Sequence, residues 1–159
     1  MSKKKRFDTP LFLAKEFMNI IITQTEVDEF NELYFKAHPR AKVKRIAGPY
    51  HPSLNWYMRA NNMGRNAAKQ NWKDFILFIL DKNGLKDRQI ERCEIIYTTY
   101  FKQNRIHDVD NITPKFILDG LVEGGFLAAD DIRHIPVLIT KAFYDMENPR
   151  IELEFSIIE

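Results

Sequence analysis

The amino-acid sequence predicts a single compact α+β domain, in which a small mixed, mostly antiparallel sheet is packed by two main helices. Its 159 residues are the length of one ordinary domain. Segments 91–101, 135–144 and 150–158 are rich in β-branched and aromatic residues, which predicts strands. Segments 66–82 and 114–123 carry apolar residues at helical spacing, which predicts the two helices.

The first forty residues are predicted to form an N-terminal extension that starts with a basic arm over residues 1–10. Residues 17–23 are β-branched and apolar, which predicts a strand, although residues 11–22 could also form a helix. Thr25 is the predicted N-cap of a short helix over residues 26–37. Its apolar positions are expected to pack as core or against a neighbour: Val27, Phe30, Leu33 and Tyr34.

The middle of the chain is predicted to hold one strand, a loop, a turn and the first long helix. Residues 41–47 alternate imperfectly between apolar and basic side chains and are interpreted as a strand. Residues 48–53 contain two prolines and predict a loop, and residues 61–64 predict a turn. The helix over 66–82 carries an apolar stripe that is expected to be core: Trp72, Phe75, Ile76, Ile79 and Leu80.

In the second half of the chain, Thr113 and Pro114 are the predicted N-cap and first position of the second helix. That helix runs to Glu123 and stops at two glycines. The last two strands are joined by a turn at residues 147–149.

The amino-acid composition excludes several classes of protein. The chain is 45% hydrophobic and 29% charged, which is typical of a soluble globular protein. Its longest apolar run, residues 75–80, is far short of a membrane span, and the basic start lacks an uninterrupted apolar region for export. The single Cys93 excludes an internal disulfide and cysteine-based zinc sites. We therefore expect a cytoplasmic protein, without a membrane partner and, for lack of a phosphate-loop motif, without a nucleotide cofactor.

A long basic stretch favours binding to nucleic acid. Residues 33–73 contain no Asp or Glu. Among their basic residues lie four flat rings that could stack on bases: Tyr50, Trp56, Tyr57 and Trp72. The alternative is a solvated surface that happens to lack acidic residues.

The acidic segment that follows the strand over 91–101 is the candidate site. In an extended segment Asp108 and Asp110 would project from the same face. Asp131, returning after one helix, could complete an oxygen cage for a hard divalent cation. With Lys115 nearby, such a cage could activate water against a phosphodiester. The alternative is that these aspartates only cap the helix or lie in exposed turns.

Three further residues are predicted to support the site. Asn111 is expected to tie down the loop through its side-chain amide, and Asp130 to cap the turn or lie behind Asp131. Asp119 lies one helical turn after Lys115 and could pair with it, either to hold the lysine toward the site or only as a surface ion pair.

The order and spacing of these motifs resemble the RusA-type Holliday junction resolvases of phages and prophages. The resemblance covers roughly residues 44–155. It is carried by P-S-x-N at 52–55, D-x-D-N at 108–111, F-I-L-D-G-L-V at 116–122, G-G-F at 124–126, D-D at 130–131 and N-P-R-I-E-L-E-F at 148–155. The interval from Asn111 to Lys115 is one residue longer than in some members of the family.

The resemblance implies a magnesium-dependent, structure-specific endonuclease, with a RusA-like domain over residues 41–159 after the extension over 1–40. Such enzymes are homodimers that resolve four-way junctions by paired symmetric nicks in DNA recombination and repair. Asp108, Asp110 and Asp131 would hold Mg²⁺, for which Mn²⁺ could substitute, and Lys115 would be the cationic helper. The cell would be bacterial or phage-infected.

Two alternatives remain open at this point. One is a non-catalytic, branched-DNA-binding or regulatory protein of the same fold. The other is a nuclease with a broader substrate range that also cuts flaps, forks or RNA. In each case the residues predicted to contact the nucleic acid are Lys44, Arg45, Asn55, Arg59, Arg65, Lys69, Lys73 and Arg105.

Overall fold

The structure, a computed structural model, describes residues 16–158. Its four strands are β1 (Glu16–Thr23), β2 (Cys93–Phe101), β3 (Leu138–Tyr144) and β4 (Arg150–Ile157), in the spatial order β1-β4-β2-β3. Strand β4 is antiparallel to β1 and to β2, whereas β2 and β3 are parallel. The predicted α+β class, single compact domain and mixed sheet are confirmed. Strands β2, β3 and β4 lie within predicted strand segments, and β1 begins one residue before the predicted strand over 17–23.

Within residues 16–158, four α-helices accompany the sheet: α1 (Gln24–Ala37), α2 (Leu54–Arg59), α3 (Asn62–Lys82) and α4 (Lys115–Glu123). None of the helices in the described part of the chain is long and apolar enough to cross a membrane.

The beginning of α2 and of α3 differs from prediction. Helix α2 has no counterpart among the predicted elements, and the predicted turn over 61–64 is wrong because α3 already begins at Asn62. Two polar caps explain both starts. The Ser53 hydroxyl accepts the N–H of Trp56 at 3.1 Å, and Asn61 Oδ1 accepts the N–H of Gly64 at 2.7 Å.

Strand β1 passes directly into α1, because Thr23 ends the strand and caps the helix. The Thr23 side chain accepts a backbone N–H of the first turn, and the Glu26 carboxylate accepts the Thr23 N–H at 2.7 Å. The predicted N-cap, Thr25, is therefore wrong: the capping box lies two residues earlier. The predicted basic arm over residues 1–10 lies outside the described residues.

Residues 41–47 do not form the predicted strand. The buried side chain of Asn31 on α1 pairs with this segment as a neighbouring strand would. Its Oδ1 accepts the N–H groups of Arg45 and Ile46 at 3.0 and 3.2 Å, and its Nδ2 donates to the Ile46 carbonyl at 2.8 Å. Since one amide satisfies these backbone groups, the segment needs no strand partner.

The hydrophobic core lies between the helices and one face of the sheet. The apolar stripe predicted on the long helix is buried at all five positions, which confirms it as core. On α1, Val27 and Phe30 are buried and belong to the core, whereas Leu33 is 54% exposed and does not. Helix α4 crosses α3 at Gly120, where an added Cβ would lie 2.7 Å from Ile76 Cβ.

The start of α4 is set by a distant residue. Pro114 occupies the N-cap position and makes no side-chain cap bond, so the predicted capping by Thr113 is wrong. Instead the N–H of Phe116 donates to His51 Nε2 at 2.9 Å, across 65 residues of sequence. The loop over 48–53, predicted correctly, thereby fixes the helix that carries Lys115.

Strand β1 and helix α1 share the sheet and core with the rest of the chain. Strand β1 pairs with β4 along its whole length, and Val27 of α1 is fully buried. The division of the chain at residue 40 stays a prediction.

Candidate functional site

The acidic loop, residues 105–111, follows the C-terminal end of β2. His107 stacks on Phe101, the last residue of β2, with ring centroids 3.9 Å apart and planes 7° from parallel. The Tyr144 hydroxyl at the end of β3 donates to the Arg105 carbonyl. These contacts hold the loop against the ends of two parallel strands.

The geometry expected for Asp108 and Asp110 is wrong. Residues Val109–Asn111 form a short 3₁₀ helix, and Asp108 is its N-cap position, so the pair does not lie in an extended segment. Both aspartates are exposed, and neither carboxylate makes a hydrogen bond or ion pair within the described residues.

Asn111 joins the acidic loop to α2. Its Oδ1 accepts the backbone N–H of Asn55, in the first turn of α2, at 2.7 Å. This bond spans 56 residues of sequence, and it is made by the side-chain amide that was expected to tie down the loop. The loop is thereby attached to a helix from the basic part of the chain.

Lys115 lies in a basic cluster formed with Arg65 and Lys69 around Tyr57. The Lys115 ammonium is 5.6 Å and the Arg65 guanidinium carbon 5.4 Å from the centroid of the Tyr57 ring. Lys69 and Lys115 line the same surface depression as this ring. Cations held over an aromatic face keep their charge and stay available to an anion.

Asp119 does not pair with Lys115 in the described residues. Its carboxylate lies 3.7 Å from Lys69 Nζ, on α3, so it joins α4 to the basic cluster from the other side. Both side chains remain partly exposed, and such a pair contributes little to stability. The predicted role of Asp119 as a supporting residue stays a prediction.

Asp131 lies away from the acidic loop. It belongs to the turn whose His134 carbonyl accepts the N–H of Cys93, the first residue of β2. Strand β2 has nine residues. The eight steps from its first to its last residue, at about 3.3 Å each, span roughly 26 Å. Asp131 is thus near one end of β2, and the acidic loop begins beyond the other.

The carboxylate of Asp131 accepts hydrogen bonds from residues of its own turn. His134 Nδ1 lies 2.8 Å from Asp131 Oδ1, which also accepts the N–H of Arg133 at 2.8 Å. These bonds, led by the one from His134, hold the pKa of Asp131 well below its usual range. Asp130 is exposed and makes no such contacts within the described residues.

Within residues 16–158, no group of three or more His, Cys, Asp or Glu side chains is arranged so that it could hold a metal ion. The structure therefore does not bring Asp108, Asp110 and Asp131 together in one chain. Of the three predicted ligands, only Asp108 and Asp110 have carboxylates without a partner among the described residues.

The other residues predicted to contact DNA differ in what they offer. Lys44, Arg59 and Arg105 are exposed. Arg45 is engaged, because it bonds Asp74 at 2.5 Å and Asn71 at 2.9 Å. Lys73 lies 3.3 Å from Glu123. The DNA contacts of all these residues stay predictions.

His51 is a residue of the site region that sequence reasoning missed. Its Nε2 accepts the Phe116 N–H, and its Nδ1 lies 2.7 Å from the Pro52 carbonyl, so Nδ1 carries the proton. The ring lies between Trp72 and Phe116, with centroids 5.3 and 5.1 Å away. Burial lowers the pKa of His51 to about 4. No sequence pattern marks a contact over such a distance.

Comparison with known proteins adds no identification. A scan against protein-family models finds no family that matches, and a search of curated proteins finds no significant match. The resemblance to the RusA-type resolvases therefore rests on the order and spacing of the motif residues alone.

Proposed function

We propose that this chain is a magnesium-dependent, structure-specific DNA endonuclease that resolves four-way junctions by paired symmetric nicks. The observation that supports this best is the acidic loop, in which Asp108 and Asp110 are exposed and unpaired within the described residues. The loop is attached through Asn111 to α2, whose Tyr57 lies beneath the cations Arg65 and Lys115. Free carboxylates joined to a basic surface fit a site that works on a phosphodiester with the help of a cation.

Two carboxylates are enough for a magnesium site. Mg²⁺ is commonly bound by one or two carboxylates, with water and substrate phosphate as its other ligands. Asp108 and Asp110 would hold it, and Asp131 is not part of this set. Bound Mg²⁺, or Mn²⁺ in its place, would supply a water of lowered pKa and a polarised phosphate.

The protein's own side chains would position the DNA strand. Arg65, Lys69 and Lys115 offer three cations to the phosphate backbone. Lys115, on the first turn of α4, would also offset the negative charge that develops on the scissile phosphate. Asn111 would keep the two aspartates at a fixed place relative to α2.

A homodimer is part of the proposal, because a two-fold junction suits an isologous pair of chains. The register of the strands places four large apolar residues on the sheet face opposite the core. Phe17, Ile21, Ile139 and Phe143 are 67%, 51%, 37% and 51% exposed. Such a face supports association with a second copy.

The second candidate is a branched-DNA-binding protein without catalysis. The observation that favours it is the engagement of Asp131 with Arg133 and His134, which leaves two carboxylates for a metal instead of three.

A substrate panel separates these functions. Binding is measured in EDTA, and nicking in Mg²⁺, on a synthetic four-way junction, linear duplex, a flap, a fork and RNA. The proposal expects paired, ligatable nicks on the junction only. Tight junction binding without nicks in Mg²⁺ or Mn²⁺ would establish the binder, and equal cutting of flaps, forks or RNA would establish a broader nuclease.

A further inference from the structure

A large aromatic cavity lies beside the acidic loop. Its volume is about 570 Å³, within the range of roughly 300–1,000 Å³ of small-molecule sites. It is lined by the loop before α2, the first half of α3, the second half of β2, and residues 107, 108 and 111–113. Six of its rings belong to Tyr50, His51, Trp56, Trp72, Tyr97 and Phe101.

The wall of the cavity combines small residues with rings. On α3 it contains three small residues, Gly64, Ala67 and Ala68, followed by Asn71 and Trp72. Trp72 and Tyr97 are buried, at 4% and 1% exposed. Small residues facing rings leave room for a planar ligand that can stack.

One buried polar atom in the cavity wall lacks a well-aligned hydrogen bond. Thr99 is 1% exposed, and its hydroxyl makes no hydrogen bond of good geometry within the described residues. It does approach the Tyr97 hydroxyl on the same face of β2; burial raises the pKa of Tyr97 to about 12, and this contact opposes the rise. A buried hydroxyl with only a poorly aligned contact can bind a ligand atom as a better partner.

The residues around the cavity include charged groups suited to binding and cleaving a nucleotide strand. Asp108 of the acidic loop lines its rim. On the other side of α2 and α3 lies the basic cluster, in which Arg65 Nε is a buried donor without a partner among the described residues. If a base lies in the cavity, the neighbouring phosphates of its strand would therefore be near the basic cluster. The same strand would also be near the acidic loop.

We propose that the aromatic cavity takes the unpaired base of a DNA strand next to the position of cleavage. The inference rests on the proposed function, and it assigns the base a stacking partner, Trp56, and a polar contact, Thr99. Stacking on aromatic rings accepts any base, because every base has a π-face. The Thr99 hydroxyl, which can donate or accept, would add a contact to the edge of the base.

The test compares two four-way junctions, one with a single unpaired thymine at the branch point and one with an abasic residue there. Dissociation constants are measured in EDTA. The unpaired thymine is expected to tighten binding about fivefold or more, as for one stacked base. Trp56→Ala should remove this difference and Thr99→Val should reduce it. The matched controls Met58→Ala, on the same helix, and Thr98→Val, on the opposite face of β2, should keep it, because neither residue lines the cavity.

Thermal unfolding gives Thr99→Val a second readout. The variant is expected to raise the melting temperature, because it removes a buried hydroxyl that lacks a well-aligned hydrogen bond. A lowered melting temperature would mean that the hydroxyl has a structural role, and would overturn its assignment to the ligand.

The same substrates distinguish the two proposals. Nicking in Mg²⁺ without any preference for the thymine would leave the endonuclease standing and overturn the base site. A preference that depends on Trp56 without any nicking would uphold the base site while the endonuclease proposal fails. Free deoxythymidine that competes as well as the strand does would overturn the assignment to DNA and point to a small-molecule site.

Discussion

The single side chain of His51 fixes the start of the helix that carries Lys115. Nε2 of its ring accepts the Phe116 N–H at the start of α4, and Nδ1 donates to Pro52. A proton on Nε2 would turn the acceptor into a donor and break the first of these bonds. The placement of Lys115 on α4 therefore depends on a neutral histidine from another part of the chain.

Because the pKa of His51 is low in the folded protein, the free energy of unfolding should fall in mild acid. The folded protein binds the proton at about pH 4 and the unfolded chain at 6.5. Because the unfolded chain takes up the proton first, the free energy of unfolding should fall as the pH drops from 6.5 towards 4, by up to about 3 kcal/mol. Urea unfolding at pH 7, 5.5 and 4.5 measures this.

The variant His51→Gln keeps an acceptor and a donor but does not titrate, so the loss between pH 7 and 4.5 should shrink. His38→Gln, at an exposed histidine, is the control and should leave the loss unchanged. If His51→Gln loses as much stability as the unmodified chain over this interval, His51 is not the group responsible.

At the scale of elements, tertiary contacts replace the local ones that the sequence suggests. Asn31 takes the place of a strand partner for residues 45–46, and Gly120 lets α4 approach α3. Both contacts hold pieces of the candidate site: the segment with Arg45 and the helix with Lys115.

Replacing Asn31 by Ala should destabilise the fold by about 2–3 kcal/mol. The change leaves backbone groups of Arg45 and Ile46 without partners in a buried place. Urea unfolding provides the free energy. The control Glu32→Ala, at the exposed neighbour on α1, should stay within about 0.5 kcal/mol of the unmodified protein. Equal stability of the two variants would show that the amide bonds contribute little.

Replacing Gly120 by Ala should also destabilise, by about 1–2 kcal/mol, although alanine favours a helix. The new Cβ would meet Ile76 Cβ at 2.7 Å, and that atom cannot rotate away. Gly124→Ala is the matched comparison, because its closest contact is the flexible end of Leu80. A Gly120→Ala protein that is as stable as the unmodified one would contradict the close packing of α3 and α4.

At the scale of the molecule, the sequence predicts the elements far better than the site. Runs of β-branched residues and the apolar stripe of α3 identify strands and core, because burial imposes their periodicity. The fold of the acidic loop depends on Phe101, Asn55 and Tyr144, residues that no local pattern connects to it. The position of Asp131 depends on the direction of the chain through α4 and the turn after it. The spacing of residues in the sequence does not determine that direction.

The measurement that tests the central claim most directly is nicking of a mobile four-way junction in Mg²⁺ and in EDTA, with the unmodified chain and with Asp110→Asn. Asp110 is exposed and unpaired within the described residues, so this change should leave the fold and junction binding intact. The account predicts paired, ligatable nicks that require both Mg²⁺ and Asp110. Nicks that persist in EDTA or in Asp110→Asn, or a junction that stays intact with both present, would contradict it.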